Sequence, residues 1–424
     1  MRFITLKAEE FNAKTRHLPC ANFHQTANWG KLKSYTGWIP HHVALEDEGK
    51  IVAASLLLAK KTPLFNSYLF YAPRGFLIDF NDKELLDTFT KEVLGYVKKH
   101  KGFELLIDPY LEYRHRDIEG EIIDDGFDNQ SVVDQLLSLG FHHNNGFNLY
   151  NENLQPRWLY VIDIKDKDEK AIIKDFKNEV KRRAKKKDFF KIDCRELKAD
   201  EVHLYKEVMQ HTAKRRGFLD RSETYYKHMY ETMHDDGILR YFVAEIDFRE
   251  TLANIKMELD ASKAKLEALK AKDTQFTKTK NEIKEEEVRL ASYQKSYDTI
   301  SRYADGRSGK HVISGVTLLT YGDEAVQLLA GNYDEFEILY SSTILITELI
   351  KMIKKEGYSR YNFYGITGDF SNDNPLIGLY TFKKSFGGHV VELIGEFEYV
   401  ISRPMKTLYE LGIKCYNAMK KVRD

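Results

Sequence analysis

The chain carries KKHKGFELLIDP at residues 98–109, where a helix ends at glycine and a strand begins. The apolar spacing before it predicts a helix from about Glu84 to Lys99, and Phe103–Pro109 predicts a strand that proline stops. The same order recurs near the other end, with a helical pattern over Ile344–Lys355, a glycine stop, and a strand over Tyr358–Tyr364. Two copies of one unit predict an internal duplication and two related α/β domains.

An insertion separates two strands of the second copy. His42–Leu58 predicts a tight hairpin in the first copy, whereas the strand Leu239–Ile246 meets its expected partner His311–Leu319 only about 65 residues later. The intervening apolar residues have heptad a/d spacing, which predicts an antiparallel helical hairpin: Leu252, Ile255, Leu259, Ser262, Leu266, Leu269, then Ile283, Leu290, Tyr293, Tyr297 and Ile300. Such an arm would extend about 30 Å, and it could stiffen the hairpin, contact a second copy or grip RNA.

We therefore predict an α/β (α+β) fold of two related domains with an inserted coiled-coil arm. The predicted first domain spans residues 1–153, the second spans 154–247 plus 306–424, and the arm spans 248–305. A chain of 424 residues is long enough for two hydrophobic cores.

Composition excludes several classes of function. The 65 basic and 65 acidic residues cancel, so any polyanion must bind locally. The three cysteines have no CxxC spacing, and neither an export signal nor an apolar run long enough for a membrane span is found. HExxH, GxSxG, P-loop and GxGxxG motifs are missing. We predict a protein of a reducing compartment, the cytoplasm, with no metal and no cofactor.

One basic stretch stands out in this neutral chain. Six cations fall within seven residues, a density that suits phosphates, although a solvated helix end is an equal alternative: Lys181, Arg182, Arg183, Lys185, Lys186 and Lys187. Arg221 and Tyr225 stand four apart, so on a helix they would share a face and could hold a phosphate between a guanidinium and a phenol. An exposed cation and aromatic pair without a ligand is the commoner arrangement.

Two segments near the end of the chain carry a family resemblance. Tyr361–Phe370 is a tyrosine-rich strand running into a glycine turn, and Gly378–Gly387 contains a Phe-Lys-x-x-Phe segment. Both resemble the FemABX family, whose members attach bridge amino acids to peptidoglycan precursors. Phe23–Thr26, Ile107–Tyr110 and Val391–Phe397 extend the resemblance over nearly the whole chain, as do the basic stretch and the arm.

The resemblance implies two acetyltransferase-like (GNAT) domains, here without the glycine loop that cradles the pyrophosphate of coenzyme A. It therefore implies aminoacyl-tRNA as donor and a muramyl-pentapeptide precursor, lipid-linked or UDP-linked, as acceptor. The reaction is aminolysis of the ester, which extends the stem peptide or the growing interpeptide bridge. Two further partners are possible: the inner face of the membrane, in peripheral contact, and a second copy of this chain or a related transferase.

The same resemblance assigns residues. Lys33, with Lys31 as its rival, would contact the diphosphate of the acceptor together with Arg221 and Tyr225, and Tyr340 would lie in the acceptor cleft. Cations and a phenol suit a diphosphate.

Two further residues receive catalytic roles. Lys383 would stabilise the oxyanion, unless it is a surface lysine like its neighbour Lys384, and Asp108 matches a family aspartate considered as a base but is equally an ordinary turn former. Two rival functions remain: an acyl-CoA-dependent N-acyltransferase on the same fold, and a non-catalytic RNA-binding or scaffold protein.

Overall fold

The computed structural model describes residues 1–63, 65–144, 155–272 and 276–423, with side chains as far as residue 415. Its strands are β1 (Arg2–Thr5), β2 (Trp38–Asp47), β3 (Lys50–Lys61), β4 (Tyr68–Ala72), β5 (Gly102–Ile107), β6 (His142–Asn144), β7 (Trp158–Asp163), β8 (Asp193–Glu196), β9 (Leu239–Asp247), β10 (Lys310–Tyr321), β11 (Glu324–Asn332), β12 (Arg360–Ile366), β13 (His389–Glu392) and β14 (Glu396–Val400).

Helices connect and cover these strands. They are α1 (Ala8–Thr15), α2 (Ala27–Ser34), α3 (Lys83–Lys99), α4 (Gln130–Ser138), α5 (Glu169–Asp175), α6 (Asn178–Ala184), α7 (Lys187–Phe190), α8 (Val202–Arg216), α9 (Glu223–Met233), α10 (Phe248–Lys270), α11 (Thr277–Ala304), α12 (Ser341–Lys355), α13 (Ile377–Lys384) and α14 (Arg403–Arg423). No helix in the described ranges is long and apolar enough to cross a membrane.

The strands form two seven-stranded sheets with the same plan. Sheet 1 has the order β1-β2-β3-β4-β5-β14-β6, and sheet 2 has the order β8-β9-β10-β11-β12-β7-β13. All neighbours are antiparallel except β4 with β5 in sheet 1 and β11 with β12 in sheet 2, which occupy equivalent positions. The predicted internal duplication is therefore visible strand by strand.

The sixth strand of sheet 1 comes from the other half of the chain. β14 pairs with β5 and β6, with Phe397 opposite Ile107 in the register. β7, the next described strand after β6, pairs with β12 and β13 in sheet 2. The predicted division places 396–400 in the second domain, whereas the structure places β14 in sheet 1. Hydrophobic periodicity identifies a strand but not the sheet that it joins.

The two helices that revealed the duplication cover their sheets as predicted. Asp82 caps α3 by accepting a hydrogen bond from the Leu85 N–H at 3.0 Å, and the helix buries Phe89 and Val93. α12 buries an apolar face that includes Leu345 and Leu349 in the core of the second sheet.

The predicted arm is confirmed as the helices α10 and α11. Asp247 caps α10, and the predicted seam residues Ile255, Leu259 and Leu266 are buried between the two helices. At the middle of the seam the Glu286 carboxylate accepts a hydrogen bond from Ser262 at 2.6 Å and pairs with Lys265 at 2.7 Å. The flanking strands β9 and β10 pair antiparallel, as expected.

Candidate active site

Three cations cluster where α2 approaches α9. Lys33 lies in the last turn of α2, with its Nζ 4.7 Å from the centre of the Trp29 ring. Burial, together with the nearby charges of Arg221 and Lys60, lowers the pKa of Lys33 to about 8. None of the three side chains pairs with a carboxylate of the described residues. Unopposed cations at close range favour an anionic ligand. Lys31, the rival for Lys33, is exposed.

Arg221 and Tyr225 lie together, but not on one helical face. Ser222 caps α9, so Arg221 precedes the helix and the predicted shared face is wrong. Its guanidinium carbon is nevertheless 5.7 Å from the centre of the Tyr225 ring. The neighbouring Asp220 pairs with Lys206 and accepts a hydrogen bond from the Tyr226 hydroxyl at 2.7 Å. Because Lys206 neutralises Asp220, the Asp220 carboxylate does not pair with the Arg221 guanidinium, which stays available to an anionic ligand.

A pocket opens between the two halves of the molecule. Its lining comes from motif segments on both sides, and it is formed by Asn22, Phe23, His24, Arg74 and Tyr110 of the first half and Tyr321, Glu324, Val326, Asn362 and Tyr364 of the second. His24, Tyr110 and Tyr364 belong to the segments that carry the family resemblance. Arg74 and Glu324 escaped the sequence analysis, because neither stands in a recognisable motif.

Arg74 reaches this pocket while its side chain is only 2% exposed. Asp108, just after β5, accepts a hydrogen bond from the Arg74 backbone N–H at 2.7 Å, and its other oxygen accepts one from the Tyr71 hydroxyl at 3.1 Å. The Arg74 guanidinium lies 3.7 Å from the same carboxylate. Burial raises the pKa of Asp108 to about 6, against the opposing effect of Arg74. The geometry shows Asp108 positioning Arg74; its role as a base stays a prediction.

Polar side chains also connect the two halves across the pocket. The Tyr110 hydroxyl donates to Glu324 at 2.6 Å, and the Asn362 amide donates to Glu324 at 3.0 Å and to the Tyr110 oxygen at 3.1 Å. Burial raises the pKa of Glu324, while the hydrogen bond from Tyr110 acts in the opposite direction. This network fixes the strand β12 relative to the segment after β5.

Tyr364 sits at the centre of the pocket wall. Its φ of 63° is held by a 2.7 Å hydrogen bond from its backbone N–H to the Asn362 side chain. Its hydroxyl donates to the Gln155 side-chain oxygen, which also lies 3.1 Å from His24 Nε2. Burial lowers the pKa of His24 well below its usual value, so this imidazole is neutral. Backbone held in the left-handed region marks a position that the surrounding contacts over-determine.

Lys383 lies directly behind Tyr364. It is 5% exposed, and its Nζ donates hydrogen bonds to the Gly365 carbonyl at 2.6 Å and the Tyr364 carbonyl at 3.2 Å. Burial lowers the pKa of Lys383 to about 7, and no carboxylate of the described residues pairs with it. The reading as a surface lysine is wrong. Its neighbour Lys384 is the residue that pairs outward, with Glu119.

Comparison with known proteins identifies the family. The model of the FemAB family matches residues 6–414. The chain belongs to the FemAB family. It is 30% identical, over 100% of its length and 99% of theirs, to proteins named aminoacyltransferase FemA from Staphylococcus aureus strains bovine RF122 / ET3-1 and N315. A crystal structure of FemX matches 96% of this chain and 99% of that chain with a TM-score of 0.78 at 24% identity, which shows the same fold.

Membership of the FemAB family confirms the resemblance found in the sequence. The two-sheet α/β architecture is confirmed with it. The chain matches relatives named as aminoacyltransferases over their full length, so it is an enzyme of the transferase class.

Tyr340 contacts a different group of residues from the cation cluster. It precedes α12 with a φ of 54° and packs against the core of sheet 2. The Arg183 guanidinium carbon is 5.1 Å from the centre of its ring. Its assignment to the acceptor cleft of this FemAB enzyme stays a prediction.

The basic stretch contains four cations that contact other groups of the protein and two that are exposed to solvent. Arg183 pairs with Glu179 at 2.5 Å, and Lys187 pairs with Glu348 at 2.6 Å. Lys181 donates to a backbone carbonyl, and Lys186 lies 4.4 Å from the centre of the Phe189 ring. Arg182 and Lys185 are exposed, and within the described part of the chain neither has an ionic partner. A polyanion would therefore meet these two cations first.

Proposed function

We propose that this enzyme transfers an amino acid from aminoacyl-tRNA to the stem peptide or growing bridge of a lipid-linked peptidoglycan precursor. The observation that carries the proposal is the cluster of Lys33, Lys60 and Arg221 beside the Tyr225 phenol, three cations without a carboxylate partner in the described residues. A diphosphate would neutralise them and accept hydrogen bonds from both guanidinium and phenol. Muramyl precursors carry such a diphosphate.

Aminolysis of the ester is the reaction that these residues support. The acceptor amine attacks the carbonyl carbon of the aminoacyl ester, a C–N bond forms and the C–O bond to the ribose breaks. The amine proton passes to the ribose oxygen, and no ATP is needed because the ester is already activated. Lys383 has two N–H groups engaged with carbonyls, and its third can stabilise the oxyanion. Alignment and charge stabilisation then account for catalysis.

The two substrates would meet beside the pocket between the halves, whose volume of about 10 Å³ has room for a single water. Tyr364 lines this pocket and its carbonyl accepts a hydrogen bond from Lys383, so the proposed oxyanion donor lies one residue behind the wall. The exposed Arg182 and Lys185 suit the phosphates of the tRNA donor. Charged tRNA is a cytoplasmic substrate, which places the reaction in the cytoplasm.

A panel of charged tRNAs against lipid-linked and UDP-linked acceptors tests the proposal, with products identified by mass. We expect one aminoacyl-tRNA to add a residue to the lipid-linked acceptor without ATP. A parallel reaction with acetyl-CoA tests the rival acyltransferase. Acetylated product with no aminoacyl product would refute aminoacyl transfer, and product only from the UDP-linked acceptor would refute the lipid-linked assignment.

A further inference from the structure

The last helix of the chain leaves the body of the molecule. α14 has 21 residues and extends about 31 Å at 1.5 Å per residue. Its first two turns pack on sheet 1, where the Tyr409 ring centre lies 5.3 Å from that of Phe103 and Lys406 pairs with Glu104 at 2.7 Å. From Leu411 to Cys415 every residue is exposed. Among residues 403–415, whose side chains are described, the helix is therefore anchored through its first two turns.

The part that extends outward is amphipathic. Leu408, Leu411 and Ile413 are 44%, 52% and 42% exposed, an unusual state for three large aliphatic side chains within six residues. At 100° per residue they lie within one apolar arc, and residues 403, 406, 407, 410 and 414 occupy the opposite, polar arc. An exposed apolar face of this kind marks an interaction site.

Charge decides between the candidate occupants. α14 contains six basic residues and one acidic residue, Glu410, within Arg403–Arg423, and since Lys406 pairs with Glu104 and Glu398 of sheet 1, five cations remain for a partner. A second copy of the helix would bring two strongly basic segments together, which opposes self-association. An RNA backbone would satisfy the charge but offers no apolar surface for the leucines. A bilayer with anionic headgroups satisfies both the cations and the apolar arc.

We infer that α14 binds the surface of an anionic membrane, with its apolar arc in the headgroup region and its basic residues other than Lys406 against lipid phosphates. The helix lies in the plane of the interface and does not span the bilayer. Attachment would hold the enzyme at the surface where a lipid-linked acceptor resides, which reduces its search to two dimensions.

Sedimentation with vesicles tests this inference in the full chain. Wild-type protein should bind vesicles of phosphatidylglycerol and phosphatidylcholine, and bind pure phosphatidylcholine at least tenfold more weakly. The double substitution Leu408→Glu with Leu411→Glu should lower the partition coefficient for anionic vesicles at least tenfold. Both positions are exposed, so a matching melting temperature would show that the fold is retained.

A matched control comes from the arm. Met257 and Val288 are 61% and 65% exposed, and the double substitution Met257→Glu with Val288→Glu makes the same chemical change there. Its vesicle binding should equal that of the wild type. An equal loss in this control, equal binding to both lipids, no binding, or a dimer that the leucine substitutions abolish would each overturn the inference. Vesicle binding is measured without substrates, so the result is independent of the proposed transfer reaction.

Discussion

Replacement of Lys383 by methionine tests both its chemistry and its energetic cost. The variant loses the buried ammonium and keeps a side chain of similar length. We expect turnover to fall at least ~tenfold, the scale of losing one oxyanion donor, with acceptor affinity nearly unchanged. Single-turnover rates and acceptor titration measure the two quantities separately.

Although turnover should fall, the free energy of unfolding of the same variant should rise. Burial lowers the pKa of Lys383 from 10.5 to about 7. At 1.36 kcal/mol for each tenfold change, the folded chain at pH 7 is destabilised by about 4 kcal/mol relative to one with an ordinary lysine. Methionine removes this cost but also removes the hydrogen bond that Lys383 donates to the Gly365 carbonyl, which costs about 2 kcal/mol. The variant should therefore be more stable than the wild type by about 2 kcal/mol.

The difference in the free energy of unfolding between the methionine variant and the wild type must depend on pH. Between pH 7 and 10.5 the unfolded chain binds more protons at this lysine than the folded chain does, so the wild type gains stability as pH rises through that window. By pH 9.5 the destabilisation that burial of Lys383 causes in the wild type has fallen to about 1 kcal/mol. The methionine variant should then be the less stable protein.

Urea unfolding of both proteins at pH 7 and pH 9.5 measures the change. A constant difference between them across this range would show that Lys383 is not a buried ammonium with a lowered pKa. Wild-type turnover in the variant would separately remove Lys383 from the mechanism.

The other predictions concern substrate binding and proton transfer. Arg221→Ala and Lys33→Ala should each weaken acceptor binding by about tenfold and spare tRNA binding, with less than additive losses in the double variant because both cations face one ligand; unchanged affinity by titration would contradict the diphosphate assignment. Arg182→Gln with Lys185→Gln should raise the Michaelis constant for aminoacyl-tRNA and reduce the log–log salt slope by roughly 0.7–0.9 per lost phosphate contact. Lys187→Gln is the matched control, since Glu348 already neutralises that cation, and an equal change of slope there would refute the distinction. Asp108→Asn should lower the free energy of unfolding by about 3 kcal/mol, because it leaves the Arg74 guanidinium buried and unpaired; a stable variant whose turnover alone is lost would instead support a base. Turnover of the wild type should fall as pH rises above about 7, where the Lys383 ammonium is lost, whereas a pH–rate profile that rises there would indicate a neutral amine acting as a base.

The elements that the sequence predicted correctly are those defined by residues close to them in the chain. α3 begins within one residue of its predicted start because Asp82 caps it, and β5 ends where Pro109 follows. The arm could be predicted because heptad spacing persists over two helices. In each case the deciding residues lie within a few positions of the element that they define.

What the sequence could not supply depends on contacts between distant segments. Apart from the family resemblance nothing in the sequence separates Lys383 from Lys384, and only the packing of α13 on β12 buries the first and leaves the second half-buried beside Glu119. Arg74 becomes a pocket residue through Asp108, 34 positions away. The start of α9 could have been predicted, because Ser222 is a typical N-cap residue. The spacing of four between Arg221 and Tyr225 instead favoured a helix that includes Arg221.

The position of β14 in sheet 1 constrains how the protein folds during its synthesis. Sheet 1 has a gap between β5 and β6 until β14, the last strand of the described chain, has been synthesised. The N-terminal half therefore cannot finish folding on the ribosome before the C-terminal half exists, contrary to the usual domain-by-domain sequence. During that interval β5 and β6 present open edges, which are sites where strands of other chains pair. A nascent chain stopped before residue 396 would have the proposed diphosphate site complete in sequence and yet lack the strand that joins β5 to β6 in sheet 1.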